Sequence, residues 1–280
     1  MTGAIGALTV AELGLADELL VAAYGGPSRR KRLASYLALQ PDGWVLAWLD
    51  GAPAGVGGVM HYGPVAYVGL VGVAPAYRRR GVARAIMAHL LGWLAERGGP
   101  VVLLDASASG APLYEQLGFT DDEKTVVFVQ DDCARRPPEP AQVHALAPAD
   151  LAAVAEFDEP IFGAGRAAVF ELLRAEAPER AFVARDGGGI AGYLFAQDAL
   201  IGPWAARTPA VAEALLGAAL RLEYHSAPTV LAPGSNPDVA RLLMRYGFSP
   251  ARSLRHMRLG GAGPVGQRAW LYALTSFAIG

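Results

Sequence analysis

Arg78, Gly81 and Ala83 stand where a chain could hold an anion. Three consecutive arginines, Arg78 to Arg80, separate an apolar run, Val65 to Val73, from a helical pattern that begins near Val82. Backbone N–H groups in the first turn of a helix have no intrahelical acceptor, and the helix dipole adds positive potential there. Small side chains at Gly81 and Ala83 let an anion approach those groups, so the stretch reads as a phosphate cradle. A nucleotide P-loop would need Gly-Lys-Ser/Thr here and a dinucleotide loop Gly-x-Gly-x-x-Gly, and neither opens this helix. The arginines also fit a solvated charge cluster on a surface helix; the preceding strand and the small residues favour the cradle.

The elements that must position this turn follow from periodicity. A short strand over Ala4 to Val10 leads into a helix over Ala11 to Ala22, and Ser28 can cap a second helix reaching Ala38. Trp44 to Leu49 is apolar on both faces, as in a central strand, and Asp50-Gly51 turns it into Pro53 to Tyr62. Val82, Ile86, Leu90, Trp93 and Leu94 recur at helical spacing, and Gly98-Gly99-Pro100 stops that helix. Val101 to Leu104 reads as a buried parallel strand, followed by a helix with Pro112 in its first turn and Gly118 at its end. Thr125 to Val129 closes the series as a final strand.

This order, with Arg78-x-x-Gly81-x-Ala83 after Val71-Gly72-Val73-Ala74-Pro75, resembles the GNAT superfamily of acyl-CoA-dependent N-acyltransferases. The segment Leu104 to Gly110 with Leu113-Tyr114-Glu115-Gln116-Leu117-Gly118-Phe119 looks like a second motif of the same family. An offset of 129 residues then carries Gly118-Phe119 onto Gly247-Phe248, Leu113 onto Leu242, Arg78 onto Arg207 and Val82-Ala83 onto Val211-Ala212, which marks an internal duplication. The expected architecture is α/β with a mixed sheet: a tandem GNAT chain with a catalytic domain over 1–130, a proline-dense linker over 131–141 and a GNAT-like domain over 142–280. In the second copy Pro209 replaces Arg80 and offers no N–H, Ala210 replaces Gly81, and Leu243 replaces Tyr114. These losses mark that copy as degenerate.

The resemblance implies an N-acetyltransferase that moves the acetyl group of acetyl-CoA to a primary amine of a small molecule by direct attack in a ternary complex. Transfer to protein lysines, and acyl-CoA binding without turnover, are the rival readings. The expected cofactor-binding residues are Arg78, Arg79, Arg80, Gly81, Val82 and Ala83, with backbone groups of Val71 and Val73. Tyr114 stands where many relatives carry the acid that protonates the departing thiolate. No carboxylate or imidazole lies on Val65 to Val73, so the base is open among His61, Tyr62, Tyr67, Asp105 and water; His61 is taken as the candidate because imidazole titrates near neutrality. Asp158, Glu159 and Arg166 could meet an acceptor, or belong to a solvated loop.

Composition narrows the remaining classes. A formal net charge of −2 argues against nucleic acid as partner, and 53% hydrophobic residues supply cores for two domains. Cys133 is the single cysteine, which excludes an intrachain disulfide and leaves no basis for a cysteine metal site. With no leader-like N-terminus and no long apolar run, a cytoplasmic protein without membrane contact is expected, as a monomer or homodimer.

Overall fold

The structure, a computed structural model, describes residues 3–131 and 142–280. Cys133 and nearly all of the expected linker lie outside the described residues. The first half runs β1 (Gly3–Ala7), α1 (Leu13–Tyr24), α2 (Arg30–Leu39), β2 (Trp44–Leu49), β3 (Ala52–His61), β4 (Val65–Val73), α3 (Val82–Ala95), β5 (Val101–Ala106), α4 (Ala111–Gln116) and β6 (Thr120–Gln130). The second half repeats that order: β7 (Val143–Ala145), α5 (Leu151–Phe162), α6 (Ala167–Glu176), β8 (Ala181–Asp186), β9 (Gly189–Ala196), β10 (Leu200–Ala206), α7 (Pro209–Ala219), β11 (Thr229–Pro233), α8 (Pro237–Arg245) and β12 (Phe248–Leu259). A thirteenth strand, β13 (Leu271–Ala273), has no counterpart in the first half.

Sequence order alone puts β6 last in its own sheet. Instead the described strands form one sheet in the order β1-β2-β3-β4-β5-β12-β6-β11-β10-β9-β8-β7, with β13 against β10. The halves exchange their last strands. β12 pairs antiparallel with β5, from Arg255 opposite Ala106 to Leu259 opposite Val102, while β6 pairs antiparallel with β11, from Thr229 opposite Val129 to Pro233 opposite Thr125. β6 and β12 then pair with each other along most of their length. Each half therefore has its sheet completed by the other, because an unpaired strand edge left in the core would strand its N–H and C=O groups.

Helices cover both faces. Leu20 of α1, Leu33 of α2, Ile161 of α5 and Phe170 of α6 share one core. On the other face α3 packs through Val82, Ile86, Leu90 and Leu94 of the expected stripe, with Met87 fully buried where Trp93 is only half-buried, and α7 and α8 pack through Leu215, Leu216 and Leu243. No described helix is long and apolar enough to cross a membrane.

Candidate functional site

The site begins where two strands part. β4 and β5 run parallel and pair only from Val65–Tyr67 to Val101–Leu103; past that point β5 keeps β12 on its other edge and β4 continues without β5. A register shift opposite Val56 and Gly58, with Leu70 at φ 53°, bulges β4 at the opening. Antiparallel ladders direct alternate residues to the neighbouring strand. Since the Ala74 N–H donates to the Ala54 carbonyl, Val73 turns its own polar groups away from β3 and into the gap. Its carbonyl accepts from Arg78 Nε at 3.2 Å. Val71 lines the same cavity, which has a volume of about 1480 Å³ and passes through the gap between the two faces of the sheet.

One end of the cavity is the arginine turn. Gly81 caps α3 from the left-handed region, φ 84°, and a Cβ built there meets nothing within 4 Å, so the space above it is open. Among the described residues no acceptor is found for the N–H groups of Gly81, Val82 and Ala83. Arg79, at φ 59°, lets successive N–H groups converge. This is a cradle with free donors and room for a phosphate, so an acyl-CoA fits it. The three arginines divide the work. Arg78 braces the turn through the Val73 and Ala23 carbonyls, Arg79 lines the cavity, and Arg80 points elsewhere, pairing with Asp50 at 2.9 Å.

Tyr114 on α4 and Asp105 on β5 also line the cavity. Burial pushes the Tyr114 phenol up to about 12, so it keeps its proton at neutral pH. His61 is not brought to the cavity: it sits at the far end of β3, against Trp93, with the ring centroids 6.1 Å apart. Tyr62 is also turned to another task, donating to the Ile279 carbonyl at 2.7 Å. Asp105 is instead the centre of a buried polar cluster. It accepts from Tyr67, from Thr125 at 2.5 Å and from His256 Nδ1 at 3.2 Å. Burial works against its charge, but the His256 hydrogen bond and charge, with Thr125 and Tyr67, hold the carboxyl below its ordinary value. His256 lies on β12, 151 positions from Asp105, so only the strand exchange brings it there. Nothing local in Arg255-His256-Met257 signals it.

The equivalent place in the second half is closed. Thr208 caps α7 and its hydroxyl accepts the Val211 N–H at 3.3 Å, the donor that corresponds to Val82. β10 and β11 part after Leu200–Ile201 and Thr229–Val230, as β4 and β5 do, but β13 fills the gap. It pairs with Trp204 and Ala205, and Leu274 N–H donates to the Leu231 carbonyl at 3.0 Å. The chain then passes on into the open gap of the first half, where a Cβ on Gly69 would lie 2.3 Å from Ala278 Cα. Glycine at position 69 is what allows this approach. Asp158 and Arg166, read from sequence as possible acceptor contacts, anchor this segment from within the core. They form a fully buried pair at 2.7 and 3.0 Å, and Arg166 also donates to Thr275 Oγ1 at 2.8 Å and the Gly280 carbonyl at 3.3 Å.

A family model described as "Acetyltransferase (GNAT) family" matches residues 15–119, and one described as "Acetyltransferase (GNAT) domain" matches 154–273. No curated protein sequence matches the chain. The crystal structure of a putative acetyltransferase from Pyrococcus horikoshii is similar along 99% of this chain and 96% of its own, at 28% identity and TM-score 0.86. A GCN5-related N-acetyltransferase from Sphaerobacter thermophilus shares the fold along 94% of this chain and 98% of its own, at 19% identity and TM-score 0.70. With the gap between β4 and β5, the open cradle on α3 and the repeat of both elements beyond β7, these matches place the chain in the GNAT acetyltransferase family, as an acyltransferase that carries the fold twice.

Proposed function

We propose that the chain moves an acetyl group from acetyl-CoA to the primary amine of a small molecule, at one site in its first half. The observation that carries this reading is the contrast between the two helix starts: free N–H groups over an open gap at Gly81, a self-capped turn over a filled gap at Pro209. Residues 1–130 would hold the chemistry and 142–280 would complete the sheet and wall the cleft.

Acetyl-CoA, when bound, supplies a thioester activated toward attack by a neutral amine. The N–H groups of Gly81, Val82 and Ala83, with Arg79, would hold its phosphates, and the outward polar groups of Val71 and Val73 would pair with its amides. Tyr114 offers a proton to the departing sulfur, and its raised pKa keeps that proton available. With His61 away from the cavity, the amine proton leaves toward water or toward the cluster around Asp105, the one carboxylate among the cavity's described lining residues. The remaining charged lining residues are arginines, which disfavours a lysine-rich peptide as acceptor.

Thiol release from acetyl-CoA in the presence of varied amines tests the reading. Tyr114→Phe should lower kcat about 10²-fold or more, the usual share of a general acid, and change the KM for acetyl-CoA by less than about twofold. An unchanged kcat would remove Tyr114 from the mechanism. Tight acetyl-CoA binding with no thiol release for any amine would favour a binding protein instead.

A further inference from the structure

The cavity does not end at the gap. On the face opposite α3 it is bordered by α2, β12 and the segment after β13, and two guanidinium groups reach it there, Arg32 and Arg252. Neither forms an ion pair with a described residue. Near the cradle Arg78 is occupied by backbone carbonyls, Arg80 by Asp50 and Arg84 by Gln116, which leaves Arg79 for the cosubstrate phosphates. Arg29, also on this wall, is held by the Gly25 and Pro27 carbonyls. Glu176, across from α2, accepts from Ser35 at 2.6 Å.

Both free cations border the same short stretch of chain. The Arg252 guanidinium lies over the Phe277 ring, 5.7 Å from its centroid. Arg252 follows a register shift in β12, between Pro250 and Arg252, of the kind that re-aims a side chain at a site. Arg32 stands one turn before Tyr36 on α2, and the Tyr36 hydroxyl donates to Ser276, the residue before Phe277, at 2.9 Å. Leu200 and Leu254 supply apolar wall between these groups. Two cations without an ion pair among the described residues, beside an aromatic ring and aliphatic wall, match a short carbon chain that ends in an anion, because a guanidinium fork pairs bidentately with carboxylate or phosphate.

We propose that the acceptor is an amine that also carries a carboxylate or phosphate, held by Arg32 and Arg252 with its amino group toward the gap between β4 and β5. This rests on the acetyl-transfer reading above. The test measures kcat/KM at saturating acetyl-CoA for β-alanine against β-alaninamide and for O-phosphoethanolamine against ethanolamine. The full chain and the double variant Arg32→Ala, Arg252→Ala are compared, with a thermal melt to confirm that the variant is folded. One anionic member should be favoured over its neutral partner by about tenfold or more, as one charge-assisted contact allows. The favoured pair identifies the anion. In the double variant that ratio should fall to about two, mainly through KM, while the KM for acetyl-CoA stays in place. Neutral members equal to or better than anionic ones would overturn the inference and leave acetyl transfer standing. So would a double variant that raises the KM for acetyl-CoA and keeps the ratio, since the arginines would then serve the cosubstrate. Thiol release with neutral amines outside the panel but with none of its four members overturns it too, whereas no thiol release with any amine sinks both readings.

Discussion

Replacing Arg166 with methionine would leave the Asp158 carboxylate buried without its ion pair. Both side chains are fully excluded from solvent. In the native chain Asp158 accepts two bonds from Arg166 and one from Tyr193, so the variant keeps only the tyrosine. Thr275 Oγ1 and the Gly280 carbonyl lose a donor in the same step. Removing one member of a buried pair costs about 3–5 kcal/mol, and the further unsatisfied groups push the loss toward the top of that range. That is a large share of the roughly 5–15 kcal/mol that holds a domain together. Urea unfolding followed by circular dichroism should show the loss. The double variant Asp158→Leu, Arg166→Met, which removes both charges, should recover at least half of it, because the uncompensated carboxylate is gone. A single-variant loss under about 1 kcal/mol, the value of an exposed pair, would refute the reasoning. So would a double variant as unstable as the two single losses added together.

The approach of Ala278 to Gly69 makes a second prediction. Gly69→Ala must push backbone away from backbone, so stability should fall by about 1–3 kcal/mol and the KM for the acceptor should rise; an unchanged melting temperature would contradict the contact. Asp105 predicts a pH dependence. Its folded pKa is lowered, so its stabilising share is present above the ordinary value near pH ~3.9 and lost as pH falls through the lower folded value. Asp105→Asn should therefore shrink the stability difference between pH 7 and pH 3, and equal differences in variant and wild type would remove Asp105 from that role.

The parts of the molecule that were legible in the sequence are those in which neighbours along the chain do the work. The turn from Arg78 to Ala83 is written in six residues: an arginine that braces it, a glycine that takes φ 84° and small residues that leave donors open. The 129-residue offset exposes the duplication because each copy keeps its own Gly-Phe turn, and Pro209 announces a helix start that has lost a donor. Partner choice between strands was not legible. β6 and β12 each follow the same kind of helix, and which edge they join depends on the other half of the chain. His256 reaches Asp105, and Arg252 the acceptor wall, only through that exchange. His61, the imidazole next to the gap strand in sequence, is set opposite Ala66 by the register of β3 with β4, away from the gap. Asp158 and Arg166 carry charge that suggests a solvated loop, and their burial follows from pairing with each other across one helix turn and a loop. The plug at β13 left no sign in the first copy to compare with.

A calorimetric titration with acetyl-CoA tests the central claim most directly. Wild type should bind about one equivalent per chain at a helix start that leaves its N–H groups free. Gly81→Asp places a carboxylate among those donors, at a backbone angle that suits glycine, and should abolish binding. Ala210→Asp alters a turn already capped by Thr208 over a gap already filled by β13, and should leave the single site intact. Two sites in the wild type, or loss of binding through Ala210→Asp, would contradict the assignment of the cosubstrate to the first half.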